Sequence, residues 1–251
     1  IDTNSFRPGE TVRQLMFGYY NNGLKANAAV FQNQNSSTVT GAPNNRNINN
    51  FLLSTVYDGN LANGYTNYTV GAGYLNDLRY MNKTWGDGYD STTSAAGNDF
   101  ANSNGITDKR LPVLDLNAKV TFNNLVAFAA EFDKVLNHVT TTGGSDPSLN
   151  ITNKAPYIWS AGAYYMPVIA GKQTTFWMGY AQAKNMQGLP MALSGNAYND
   201  YDSAGIKHSL NAAISRSVFV DNNTISLDYQ HVKDYAGKRS NTYTIDDSFY
   251  F

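Results

Sequence analysis

Residues 113–122 read Val-Leu-Asp-Leu-Asn-Ala-Lys-Val-Thr-Phe, and their alternation decides the fold. Leu114, Leu116, Ala118, Val120 and Phe122 are apolar, while Asp115, Asn117, Lys119 and Thr121 are polar. Successive side chains of a strand point to opposite faces, so this segment has one apolar and one polar face. Asn123-Asn124 forms a turn pair. Beyond it Val126, Phe128, Ala130 and Phe132 continue the apolar set against Glu131 and Asp133. The stretch predicts a hairpin whose charges all lie on one face.

The same period recurs along the chain. Ile206, Leu210, Ala212 and Ile214 alternate with Lys207, Ser209, Asn211 and Ser215. Ile225, Leu227 and Tyr229 alternate with Thr224, Ser226, Asp228 and Gln230, and Tyr157, Trp159, Ala161, Ala163 and Tyr165 with Ser160 and Gly162. Further strands are expected near 12–20, 24–32, 50–58, 65–75, 173–184 and 241–251, about eleven in all. A strand of about ten residues, rising about 3.3 Å per residue and tilted 35–45°, crosses an apolar layer about 25 Å tall.

The connections alternate in length. Those at 21–23, 59–63, 123–124, 169–172 and 221–223 are short, whereas 33–49, 76–110, 138–154 and 185–203 are long. Outer-membrane barrels show this asymmetry, with short periplasmic turns and longer extracellular loops. A soluble sandwich has no physical reason for it. The expectation is therefore all-β: a transmembrane antiparallel up-and-down β-barrel of 12 or more strands, about eleven of them in this chain.

Composition agrees. Charged residues make up 15% of the 251, below the roughly 25% of an ordinary soluble domain, while aromatics reach 13%. Basic and acidic residues nearly balance at 18 and 19, so no nucleic-acid partner is implied. Mean hydropathy is −0.41. The longest apolar run, Leu125 to Ala130, is far short of the roughly 18 residues of a membrane helix. Without cysteine there are no disulfides or thiolate metal sites. The chain opens on Ile-Asp-Thr-Asn-Ser-Phe and is read as processed material.

The carboxyl end, Tyr243-Thr-Ile-Asp-Asp-Ser-Phe-Tyr-Phe251, resembles the terminal strand of Gram-negative outer-membrane proteins. In that group the terminal aromatic and its alternation are read by the barrel-assembly machinery, which implies this role for Tyr243, Ile245, Phe249 and Phe251. Asp247 shares their parity and departs from the pattern. Because this strand follows a loop on the long-loop side, it runs toward the periplasm. Counting back through eleven strands places the amino end outside the cell, which requires either one more strand within the count or, as the preferred expectation, at least one further strand upstream of this single barrel domain. Tyr19, Tyr20, Tyr57, Tyr65, Tyr74, Tyr157, Tyr165, Trp177, Tyr229 and Tyr235 fall at strand ends and suit interfacial girdles.

On the polar face, Lys25, Asp115, Lys119, Glu131, Asp133, Lys207 and Asp228 are the expected pore lining, with both signs present. The bland alternative is that they pair with one another and close the interior. Catalysis finds no constellation. His208 and Ser209 are neighbours, so in a strand they face apart, and His231 lies near Asp228 and Asp234 without a serine partner in sequence. No cofactor or metal is called for. Asp87 to Asp90 and Asn199 to Asp202 carry hard oxygen donors without full calcium-loop spacing and are read as solvated loop. Asn150-Ile-Thr152 matches a glycosylation acceptor, which has no force in a bacterial chain.

Gly71-Ala-Gly-Tyr-Leu-Asn-Asp-Leu78, Gly188-Leu-Pro190 and Tyr229-Gln-His-Val-Lys-Asp-Tyr235 resemble the siderophore-porin (LbtU-like) group of outer-membrane proteins. The likeness covers roughly the carboxyl two-thirds through short motifs. It implies uptake of a ferric siderophore or a related small solute through a barrel without an internal plug domain. The partners expected are outer-membrane lipid and lipopolysaccharide, the assembly machinery and that solute. The alternative is a closed structural or adhesive barrel that binds partners through its long loops.

Overall fold

Asparagine and glycine set the hairpins. Asn22 and Gly23, at φ 45° and 83°, form a two-residue turn between Asn21 and Leu24. Asn123 and Asn124, at φ 49° and 54°, are the central residues of the next tight turn, a three-residue connection completed by Leu125, whose amide donates to the Phe122 carbonyl at 2.8 Å. Both central residues of these turns need positive φ, which Asn and Gly reach most readily, and the resulting twist matches that of paired strands.

The computed structural model describes residues 14–31, 50–62, 64–77, 110–141, 150–185, 206–218 and 223–249. The first six strands are β1 (Gln14–Asn21), β2 (Leu24–Phe31), β3 (Asn50–Asn60), β4 (Thr66–Leu75), β5 (Val113–Phe122) and β6 (Val126–Val135). Then follow β7 (Val139–Thr141), β8 (Ile151–Lys154), β9 (Tyr157–Tyr165), β10 (Val168–Ile169) and β11 (Lys172–Lys184). The chain continues through β12 (Ile206–Ser217), β13 (Asn223–Asp234) and β14 (Arg239–Phe249). Among the described residues there is no helix, and so none long and apolar enough to cross a membrane.

All pairing is antiparallel. The main sheet runs β1-β2-β3-β4-β5-β6-β9-β11-β12-β13-β14, so every strand on this path lies beside its neighbour along it. These eleven strands fall at the eleven expected positions. The sequence reading did not foresee β10, a two-residue ribbon on β11, or the hairpin of β7 with β8 inside the connection 138–154. Among the described residues no ladder joins β1 to β14.

Burial is one-sided. Phe31, Leu75, Leu111, Val113, Val135, Val139, Ile151 and Ile158 form a buried apolar cluster at the end of the sheet where the long connections lie. Leu111 reaches it from the connection before β5, and Val139 and Ile151 from the β7–β8 hairpin. Nearby, the base of the connection 76–112 is clasped shut. The Leu111 amide donates to Asp77 Oδ1 at 3.1 Å, and the Asn50 side-chain amide donates to the Asp77 carbonyl at 2.6 Å.

Candidate functional site: the polar face of the sheet

Residues opposite one another in an antiparallel ladder share a face, so the registers carry one face across the whole sheet. Starting from Asp115, the face continues to Gly73, Ser54 and Asn27 in one direction. In the other it reaches Asp133, Ile158 and Ala183. Lys119, opposite Thr69 and Ala129, and Glu131, opposite Asn117 and Ser160, lie on the same face. Lys25, opposite Tyr20 and Val56, and Asp228, opposite Ala213 and Thr244, belong to it too. Six of the seven expected lining residues thus share one face. Lys207 falls where the β12–β13 register shifts between Ile206 and His208, so the ladder does not assign it to a face.

The two ends of this face differ. Toward the short turns, Lys25 Nζ meets Asp58 Oδ2 at 2.8 Å with both side chains substantially exposed, and Thr69 donates to Asp58 Oδ1 at 2.6 Å. Lys119 Nζ stands 6.0 Å from the centroid of the Tyr164 ring, and the Ser226 hydroxyl donates to Asp228 at 3.0 Å. Trp177, expected in a girdle, lies on this polar face opposite Tyr164 and Ala213. A side chain at Gly179 would meet its indole at 2.8 Å, so the glycine leaves the space the ring occupies. Tyr20 is a second girdle candidate that the register moves to the polar face. Toward the long connections, Asp115 and Asp133 are buried directly opposite each other, and the next pair outward is Val113 with Val135 of the apolar cluster.

The opposite face is apolar and open. Leu53, Val70, Leu116, Phe128, Met178, Leu210 and Leu227 are all exposed there, Met178 to 60%. Rings bound this band at both ends. At the long-connection end, Phe51 packs on Tyr74, Phe132 on Tyr157, Trp159 on Tyr180 and Tyr229 on Tyr243, with centroids 5.0 to 5.9 Å apart. At the short-turn end the pairs are Tyr57 with Tyr68, Phe122 with Phe128 and Tyr165 with Phe176, at 6.0 to 6.5 Å. On β9 the belts are marked by Tyr157 and Tyr165, about 26 Å apart along the strand at 3.3 Å per residue.

His208 and His231 also lie on the apolar face. His208 Nδ1 bonds to the Tyr180 hydroxyl at 2.7 Å and His231 Nδ1 to Asn241 Oδ1 at 2.8 Å, while Ser209 faces the other way. Tyr243 and Ile245 are exposed on the apolar face, and Phe249 ends β14 opposite Asn223. Asp247, the departure from the terminal pattern, accepts from the Asn223 side-chain amide at 2.7 Å at the short-turn edge. Phe251 and the acidic pieces at 87–90 and 199–202 lie outside the described residues.

No protein-family model and no curated protein matches the chain. Among solved structures, the crystal structure of the outer membrane channel DcaP of Acinetobacter baumannii is similar, with a TM-score of 0.49 and 12% identity over 100% of this chain and 66% of that one. At this level of likeness the functional reading rests on the two faces of the sheet.

Proposed function

We propose that this sheet is the wall of an outer-membrane β-barrel whose polar face lines a channel for small polar solutes. The observation that carries it is the inversion of the two faces. Large apolar side chains are exposed between two aromatic belts, while Asp115, Asn117 and Asp133 are buried on the other side. In water this arrangement is unfavourable on both counts. With hydrocarbon outside and water within, each face meets its own solvent. Closure follows from the same solvent. Unpaired backbone groups in lipid cost several kcal/mol each, so the edges of β1 and β14 must be met by each other or by further strands. Outer-membrane lipid and lipopolysaccharide would then surround the apolar band, and the aromatic terminal strand would engage the assembly machinery. A ferric siderophore is the solute that the sequence resemblance supplies.

The apolar cluster favours a second reading, a barrel closed at its long-connection end that works through its loops. Val139 and Ile151 of the β7–β8 hairpin are packed against polar-face residues of β2, β4, β5, β6 and β9 and narrow that end. Planar-bilayer recordings separate the two. Discrete current steps, blocked by the transported solute, are expected of the channel. A detergent-dependent barrel that inserts without conducting would support the closed form, and a protein soluble without detergent would overturn both.

A further inference from the structure

Asp115 and Asp133 face each other directly across the β5–β6 ladder, and Glu131 is opposite Asn117 in the next pair on the same face. One carboxylate oxygen from each of the three acids lies within 4.8 Å of the other two. Asp115 is 5% exposed and Asp133 4%, and Oδ1 of each is buried without a hydrogen-bond partner. Among the described residues, no cationic side chain lies within ion-pair distance of either aspartate. Like charges directly opposite destabilise a ladder, and buried carboxylates left unpaired add a desolvation cost. Val113 and Val135 form the next pair outward, and Ile158 is opposite Asp133 on β9, so apolar groups flank the site. On the inner side the Asn117 side-chain amide donates to Asp115 Oδ2 at 3.2 Å and steadies that carboxylate. Gly71 makes room for it, since a side chain there would come within 2.5 Å of Asn117 Oδ1.

The geometry points to a divalent-cation site for calcium held by Asp115, Glu131 and Asp133 on the polar face of the β5–β6 hairpin. Two oxygens bound to one calcium ion at about 2.4 Å can stand at most about 4.8 Å apart, which this trio satisfies. The donors are all hard carboxylate oxygens, with neither the imidazole nor the thiolate that favours zinc. Magnesium demands near-ideal octahedral geometry at about 2.1 Å and keeps several waters, whereas calcium accepts a one-sided, irregular set. The ion would supply the missing partners of both Oδ1 atoms and neutralise two of the three charges. The site is contained in one hairpin and does not depend on whether the pore conducts.

The test is calcium titration calorimetry with parallel thermal melts of the full chain, stripped with EDTA and held in detergent free of lipopolysaccharide. The parent protein is expected to bind calcium saturably, more tightly than magnesium, and to melt higher with calcium than with EDTA. Asp133→Asn and Asp115→Asn should each weaken calcium binding about tenfold or more. In EDTA both should melt at or above the parent, because the facing charges are gone. Should either variant fail to fold, Glu131→Gln, at a half-buried position, gives the same reading. Absence of saturable calcium binding by the parent overturns the proposal, as does unchanged affinity in the variants. Channel conductance is scored separately, so failure of the metal site and failure of the channel reading remain distinct.

Discussion

Leu75 on β4 and Leu116 on β5 are the same side chain on adjacent strands, yet one is 0% and the other 43% exposed. Leu75 points into the apolar cluster at the long-connection end of the polar face, and Leu116 stands in the middle of the apolar band. The first is core in the ordinary sense: protein surrounds it. The second is apolar with none of the described residues covering it. Hydrophobicity in a sequence therefore marks two different destinations, and only the register of the sheet separates them.

Replacing each leucine tests that distinction. Leu75→Ala opens a cavity in a packed cluster and is expected to cost about 2–5 kcal/mol in equilibrium unfolding from lipid vesicles. Leu116→Arg sets a charge in the bilayer and is expected to cost about 2–4 kcal/mol in the same measurement. A loss below about 0.5 kcal/mol at Leu116 is what a water-exposed position shows, and would remove the membrane reading. A smaller effect on the wall is expected of Ile151→Asp, which places a charge where the β7–β8 hairpin docks. The hairpin should release and become open to protease while the main sheet persists, and single-channel current should rise. Unchanged current would mean that the hairpin does not narrow the path. The smallest effect belongs to the exposed Lys25–Asp58 pair. Lys25→Met should leave melting unchanged and shift the reversal potential toward cation preference, because Asp58 then stands uncompensated on the polar face. An unchanged reversal potential would take that pair out of the conducting path.

The strands were legible because alternation is local. The apolar and polar sets of β5, β6, β9, β12 and β13 were readable directly, and apart from Ile206 and Lys207 at the register shift the ladders keep them on the faces expected. The pairing of Asp115 with Asp133 was not readable from the Asn123-Asn124 pair alone, because Leu125 is a third loop residue and the register starts at Phe122 with Val126. Trp177 was misplaced because Phe176, Trp177 and Met178 are consecutive and apolar, so composition cannot choose which of them faces outward. The β7–β8 hairpin was missed because its strands are three and four residues long and alternate too briefly to read. The apolar cluster was invisible for another reason: it joins residues of eight strands and one connection, brought together only by the assembled sheet.

The clasp at Asp77 has a consequence for how such a protein can change. Because the Leu111 amide and the Asp77 carboxylate join the two stems, the connection after β4 and before β5 is anchored at one fixed point of the sheet. The entropy of closing a loop grows only with the logarithm of its length, so doubling that segment costs about 0.6 kcal/mol. The rim can therefore lengthen, shorten or accept a foreign insert almost independently of the wall beneath it. A chain with a longer or shorter segment here is expected to keep the same strand registers, belts and buried acids.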